Sequence, residues 1–548
     1  MKYVKWLWHN TVGIRYNMVL RIVAGTARVS FGLLMIWLCK QFIDVTVRTG
    51  TAYDIALMIA ALIAVVLSAI FCRQAYYYMA VRAEAIQTTA IRLRIFSHLL
   101  RRQIFDGNAM HSGDVTSRLE KDISTVSNAT TSVIPDLCVT LFQLVGAFLF
   151  MKSMDARLAW ALLLVTPLFI IVGKLVALKI RKMTMDIRQQ ESVIQMLVQE
   201  TMEHNMVLRT MESGDWVTER LDDMQHSLKG KINRRARFTV IFRSAIAVSF
   251  SLGYIIAFIW GALQLRAGVI TFGVMTSFLQ LVGQIQQPIL QAINMLPQIL
   301  QATTSIDRLE EMEHMEVEEE SHDAEGRMEG PLGLKLHDVT FRYAPDEREV
   351  VSHLSRVFEP GSKTALMGQT GAGKTTLFRL LLGLIKPQTG TMTLFNAGGE
   401  QPVNEHSRSN FVFVPQGNTL MSGSIRYNLM LAKPDVTDDE LRKVLHIAMA
   451  DFVFSLPDGM DTECSERGGG LSEGQAQRIA IARGLLRPGN IMLLDEISAS
   501  LDEQTEEELY RRLFSSYQHK TMIFITHRPT VCELCDEVMH LTKTVKTP

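Results

Sequence analysis

Residues 368 to 375 read Gly368-Gln369-Thr370-Gly371-Ala372-Gly373-Lys374-Thr375, a spacing that suits phosphate chemistry. The glycines let backbone N–H groups turn inward on a phosphate chain, Lys374 supplies a point charge to its β and γ groups, and the Thr375 hydroxyl can ligate Mg2+. The context fits as well. The apolar run Ala365 to Met367 precedes the loop as a strand would, and Thr376 to Leu384 follows it as a helix. A chance match in a loop would lack both flanks. Downstream, Ile491-Met492-Leu493-Leu494 reads as a fully buried parallel strand ending on Asp495-Glu496. That is where such a sheet presents its ligand edge. Asp495 would hold Mg2+, directly or through water, and Glu496 would polarise a water for in-line displacement of the terminal phosphate. A second strand, Met522 to Ile525, delivers His527 to the same edge, within reach of that phosphate.

These residues need a soluble α/β scaffold, and the chain is long enough at 548 residues for that scaffold and a second part. Nearly all long uncharged apolar runs lie before residue 307. A helix crosses a bilayer with about 20 apolar residues, and windows near that length are Ile55 to Cys72, Leu137 to Met151, Leu158 to Gly173, Ser244 to Leu265 and the stretch Ala267 to Ile306. Met18 to about Thr46 is a further span, interrupted by Arg21, Arg28, Lys40 and Asp44, with a buried soluble helix as its alternative. The spans are separated alternately by short loops and by long polar segments. The long ones, Arg82 to Lys121 and Lys174 to Arg237, are basic and should face the cytoplasm. Rich in helix formers, they read as helices continuing beyond the bilayer. His111 to Arg118 holds a glycine and a capping aspartate, as at a junction of two helices.

In the last span, Gln280, Gln284, Gln287, Gln291, Asn294 and Gln298 recur at steps of four and three, one stripe along a helix. Hydrocarbon offers amides no partner, so the stripe must face protein or water. The reading preferred here is the lining of a wet translocation pathway; interhelical hydrogen-bonding glue is the alternative. Pro288 and Pro297 would bend the same span. An acidic connector, Arg308 to Gly330, reads as a linker, and Leu334 to Phe341 alternates as a half-buried strand. The expected organisation is residues 1–307 in the membrane, 308–330 as linker and 331–548 as the soluble domain.

Lys plus Arg and Asp plus Glu number 56 each, so bulk charge proposes no nucleic-acid partner. The six cysteines suggest no disulfide framework, and Cys532 and Cys535, though spaced CxxC, have no second pair or histidines for a metal. Met1 to Trp8 lacks the apolar core and cleavage site of a signal peptide and is expected to stay attached and cytoplasmic.

Leu471-Ser472-Glu473-Gly474-Gln475, followed by Ala476-Gln477-Arg478, resembles the signature sequence of the ATP-binding cassette superfamily. With the phosphate loop and the spans, essentially the whole chain is similar to an exporter half-transporter of that family. The resemblance implies an α-helical six-span transmembrane domain with long cytoplasmic helical extensions, plus an α/β P-loop nucleotide-binding domain. It implies ATP and Mg2+ as cofactors, adenine stacking for Tyr343, a γ-phosphate, Mg2+ and membrane-domain sensor in Gln416, nucleotide contacts for Thr376, and a dimer-contact loop at Ser500-Leu501-Asp502. The signature of one subunit, Ser472 to Gln475 here, would cap the nucleotide held by the other, so a second half is implied as partner, a homodimer by preference and a heterodimer otherwise. His111 to Arg118 is similar to a coupling helix. The resemblance also implies an integral protein, expected in a bacterial plasma membrane with its ATP-binding domain cytoplasmic, exporting a lipid, peptide or amphipathic small molecule.

Two features depart from the family pattern. Glu473 stands where glycine is usual, and the chain ends at Pro548, soon after His527, where a longer tail is usual. An ATP-gated channel or sensor would be expected to lose Glu496, an importer to keep its two domains on separate chains, and a soluble ATPase to lack the spans; none fits as well as an exporter.

Overall fold

The computed structural model describes residues 2–46, 50–102, 112–154, 156–318, 326–344, 348–464 and 470–542, which divide into two compact units. The first holds residues up to Ser97 and from His111 to His314; the second holds His98 to Met110 and everything from Met315 onward.

The first unit is helical. A short helix α1 (Lys2–His9) precedes α2 (Arg15–Gln41), which continues through a π turn at Phe42–Thr46. Then follow α3 (Ala52–Leu100), α4 (Ser112–Ser117), α5 (Ile123–Asn128), α6 (Ile134–Met154) and α7 (Ala156–Glu203). The unit ends with α8 (Asn205–Thr210), α9 (Gly214–Arg266) and α10 (Phe272–Glu313). The apolar windows read from the sequence fall on these helices, except that Ala267 to Thr271 precede α10 and Phe42 to Thr46 form the π turn after α2; α3, α7 and α9 extend far past their windows, as their helix-forming composition requires. Among the described residues, Arg15–Thr46, Ala52–Leu100 and Gly113–Met154 are long and apolar enough to cross a bilayer, and shorter apolar stretches run Ser251–Arg266 and Phe272–Ile285. His111 lies outside the described residues; the rest of that junction is α4 followed by a π turn at Arg118–Asp122.

Within this unit α2, α3 and α6 meet at Gly25, where a Cβ would lie 2.4 Å from Val139 Cγ2 and 2.7 Å from Tyr76 Cε2. Small residues at such crossings let helix backbones approach in a membrane. One turn away, the buried Arg21 guanidinium lies 2.8 Å from Asp136, which also accepts from the Tyr76 hydroxyl. A charge within a span is tolerated when it is paired in this way. Helix α10 continues through Arg308 to Glu313, the opening residues of the segment read as a linker.

The second unit carries two main sheets. The antiparallel one has the order β2 (Val351–Phe358), β1 (Gly333–Phe341), β4 (Thr389–Asn396), β5 (Gly399–Pro402). The parallel one runs β11 (Glu537–Leu541), β3 (Lys363–Gly368), β10 (Thr521–Ile525), β9 (Ile491–Asp495), β6 (Phe411–Val414). A small pair, β7 (Gly423–Ser424) and β8 (Glu463–Cys464), stands apart. Every residue of β9 and β10 is buried, which explains the apolar runs Ile491 to Leu494 and Met522 to Ile525. Helix α11 (Lys374–Leu381) follows β3. Helices α12 (Ile425–Met430), α13 (Asp438–Ile447), α14 (Glu473–Leu485), α15 (Glu503–Ser516) and α16 (Pro529–Leu534) complete the unit.

Candidate active site

The parallel sheet brings its functional residues to one edge. Strand β3 ends in the phosphate loop, β9 in Asp495-Glu496, and β6 is followed two residues on by Gln416. Ile525, the last residue of β10, pairs with Asp495 on one side and Leu366 on the other, so His527 emerges between the phosphate loop and the two acids. Gly371 and Gly373 have φ of +79° and +94°, and a Cβ on Gly373 would lie 2.6 Å from the Val350 carbonyl. That position therefore excludes any side chain, as a loop wrapping phosphates needs.

Lys374 is buried, and its ammonium donates to the Gly368 carbonyl at 2.6 Å and to His527 Nε2 at 2.9 Å. Accepting from an ammonium requires the lone pair of Nε2, which puts the ring proton on Nδ1. Asp495 is also buried; desolvation pushes its carboxyl up to about 6, the adjacent Glu496 adds to the rise, and Lys374 and the Thr375 hydroxyl oppose it. Glu496 sits at φ +46°, a conformation unusual for a side chain of this length. Its amide donates to the Ile525 carbonyl at 2.9 Å, holding that geometry in place. One carboxylate oxygen accepts from Gln416 Nε2 at 2.6 Å and the other lies 3.5 Å from His527 Nε2. Strain held at a site by surrounding bonds is a mark of function. Thr375, Asp495 and Gln416 offer hydroxyl, carboxylate and amide oxygens, a hard donor set suited to Mg2+, which is commonly held by few protein groups.

Tyr343, read as the adenine-stacking residue, is exposed at the end of β1. Its hydroxyl lies 3.0 Å from Thr376 Oγ1 and accepts from Arg379 at 3.0 Å, and its ring packs edge-on against Phe341 at 5.0 Å. Thr376 is thereby tied to the tyrosine. The ring stays beside the start of α11, and Arg379 is a neighbour that the sequence motif did not single out.

The Ser472-to-Gln475 segment forms the start of α14. It is a capping box: Ser472 Oγ accepts from the Gln475 amide at 3.2 Å, and the Gln475 side chain accepts from the Ser472 amide at 2.9 Å. Glu473 occupies the first helical position and is exposed, where a carboxylate is favoured by the helix dipole. A Cβ on Gly474 would approach the Ser500 carbonyl to 2.9 Å, so the signature packs on the loop Ser500-Leu501-Asp502 through this glycine.

Sequence reasoning missed an ion pair behind that loop, with its carboxylate buried and its guanidinium half-buried. Glu506 of α15, 2% exposed, lies 2.7 Å from Arg528, which also donates to the Leu501 carbonyl at 3.2 Å. Arg528 follows His527 directly. The pair thus fastens the loop to the strand that carries the histidine. Its two halves stand far apart in sequence with no motif around either.

Of the amide stripe on α10, Gln280 and Gln291 are exposed, while Gln284 accepts from Gln143 of α6 at 2.7 Å. Gln298 is exposed and engaged. Nothing is described for the side chains of Gln287 and Asn294. Cys532 on α16 donates to Met367 Sδ at 3.4 Å, and among the described residues no group of three or more His, Cys, Asp or Glu side chains is placed to hold a metal.

Residues 18–289 match the ABC transporter transmembrane region and residues 351–499 match the ABC transporter family, together more than half of the chain. The chain belongs to the ATP-binding cassette transporters. Similar proteins include a multidrug resistance ABC transporter ATP-binding and permease protein of Lactococcus lactis, 27% identical, covering 83% of this chain and 77% of the relative. A fatty acid ABC transporter ATP-binding/permease protein of Mycobacterium bovis is 28% identical, covering 83% of this chain and 72% of the relative. An ATP-dependent lipid A-core flippase of Desulfotalea psychrophila is 25% identical over 96% of this chain and 92% of its own length. This ABC transporter is therefore a membrane protein that binds and hydrolyses ATP to drive export, with the membrane domain and the cassette on one chain.

Proposed function

We propose that the chain is one half of a dimeric exporter that moves an amphipathic substrate by alternating access. In this reading Thr375, Asp495 and Gln416 hold Mg2+. The phosphate loop from Gly368 to Thr375, with Thr376 and Tyr343, binds the nucleotide. Glu496 activates the attacking water, Gln416 orients it, and His527 contacts the γ-phosphate once ATP draws Lys374 away. The observation that carries the reading is the Glu496 carboxylate, gripped by Gln416 at 2.6 Å beside His527 and Lys374.

Ser472 to Gln475 open helix α14 with an exposed N-terminus, a donor end suited to capping a nucleotide held by a second half. The intact catalytic set favours self-pairing. Exposed Glu473 in the signature supports a second reading, in which this half contributes its complete site to a heterodimer. The helices cross the membrane six times, with the basic extensions and the ATP-binding unit on the cytoplasmic side of a bacterial plasma membrane. Gln280, Gln287, Gln291, Asn294 and Gln298 line the path, and the relatives' names point to lipids, fatty acids or drugs as the substrate class.

The test is vanadate-sensitive ATP turnover by the purified chain alone in lipid nanodiscs, wild type beside Glu496→Gln. Turnover in wild type with a loss of about 100-fold or more in the variant, ATP binding retained, is the expected result. Persistent turnover in Glu496→Gln would overturn the assignment of the base, and an inactive wild type that binds ATP would favour the heterodimer.

A further inference from the structure

Before Asp44 the chain contains no acidic residue and carries Lys2, Lys5, Arg15, Arg21, Arg28 and Lys40. The far end of the same unit is the reverse. Helix α10 closes on Asp307, Glu310, Glu311 and Glu313, with no basic residue in its last turn. A helix C-terminus already carries partial negative charge, so this end is unfavourable unless cations from elsewhere answer it.

Helix α1 supplies much of the answer. Lys2 lies 3.1 Å from Asp307 and 2.7 Å from Glu310, the Tyr3 hydroxyl donates to Asp307 at 3.1 Å, and the buried Trp6 indole donates to Glu313 at 3.1 Å. Arg94 of α3 also pairs with Glu313, and Arg118 lies 2.7 Å from Glu311. The inner face of α1 is thus occupied by α10. Its outer face presents Lys5 and Trp8, both exposed, with the Arg15 guanidinium 4.2 Å from the Trp8 ring centre. Among the described residues neither Lys5 nor Arg15 has a carboxylate partner. Exposed Val12, Tyr16, Val19 and Val23 continue from there at helical spacing. Aromatic and basic residues bordering an apolar stripe are the composition of a membrane interface.

We propose that α1 is a two-faced arm: Lys5, Trp8 and Arg15 dock on anionic headgroups of the adjoining leaflet, while Lys2, Tyr3 and Trp6 fasten the acidic end of α10. The charge of the leaflet then sets how firmly the helix leading to the ATP-binding unit is held. A second copy of the chain fits this face poorly, because a symmetric contact would set the same basic surface against itself. Each basic residue near an anionic surface contributes about a fivefold preference, screened by salt.

The full chain is placed in nanodiscs of phosphatidylcholine alone or with about one third phosphatidylglycerol, an anionic fraction that gives the surface a negative potential. Two quantities are read: ATP turnover, and the yield of disulfide between Lys2→Cys and Glu310→Cys compared with either single substitution. Turnover should differ by about threefold or more between the two compositions and disulfide yield should rise with anionic lipid. In Lys5→Gln/Arg15→Gln both differences should largely vanish, with turnover in phosphatidylcholine unchanged. A double variant that keeps the wild-type lipid response overturns the proposal. So does a wild type indifferent to lipid charge in both quantities, or a variant that changes only the monomer–dimer balance, which would assign the face to a second copy. Should the chain not turn over at all, the disulfide yield alone decides, so failure of the exporter reading is separable.

Discussion

Gln416 donates through Nε2 to Glu496 at 2.6 Å, joining the segment just after β6 to the residue just after β9. The bond fixes one oxygen of the proposed base and leaves the other 3.5 Å from His527. A carboxylate oriented in this way depends on its amide for direction more than for charge. Gln416→Ala should therefore lower ATP turnover by about 10- to 100-fold with a KM for ATP changed little. Steady-state kinetics in nanodiscs check it; an unchanged turnover number would remove Gln416 from the chemistry.

The Glu506–Arg528 pair, 2.7 Å apart with Glu506 2% exposed, makes a sharper stability prediction. Removing Arg528 strands the buried Glu506 carboxylate, whereas removing both leaves only a packing change. Arg528→Met should destabilise the ATP-binding unit by about 3 kcal/mol, and adding Glu506→Met should recover about half of that loss. Denaturant unfolding of the four members of the cycle measures the coupling. Turnover should follow the single variant downward, because Arg528 also holds the Leu501 carbonyl and adjoins His527.

The phosphate loop, the acidic strand end and His527 were legible because each chemistry demands fixed residue types at fixed offsets, next to apolar runs that can only be buried strands. The membrane helices were legible for a similar reason, since hydrocarbon imposes length and composition together. What escaped were partnerships between residues remote in sequence. Nothing around Glu506 announces Arg528, and nothing around Lys2 announces Glu310. Such pairs have no period and no motif; the fold alone brings them together. Gln284 was legible as an amide on a helical stripe, but its bond to Gln143 depends on where α6 lies beside α10.

Lys520 gives a pH dependence. Burial lowers its ammonium to about 8, with the nearby Arg327 adding to the effect. The unfolded chain would hold that proton until about 10.4. Between about 8 and about 10 the unfolded state binds more protons, so stability from this group rises with pH across that window and the cost is fully present below about 8. The residue is only partly buried, so solvent reduces the effect. Lys520→Met should raise stability by about 1–2 kcal/mol at pH 7 and flatten the rise at higher pH. Thermal unfolding of the full chain at pH 7 and pH 9.5 compares the two proteins, and equal slopes would show that the ammonium is solvated.

The amide stripe on α10 can be divided by experiment, because its members differ in their surroundings. Gln284 accepts from Gln143 at 2.7 Å, whereas Gln291, about two helical turns further along α10 by simple geometry, is exposed. An interhelical amide bond contributes about 0.6–1 kcal/mol in a membrane. Gln284→Leu should accordingly lower the melting temperature slightly and leave substrate-stimulated turnover near wild type. Gln291→Leu should do the opposite, shifting the concentration of amphipathic stimulant needed for half-maximal turnover by about threefold or more with stability unchanged, since it would remove a polar contact from the path without breaking a helix contact. If both variants changed stability and neither changed stimulation, the stripe would be glue along its length and the pathway would have to run along another face.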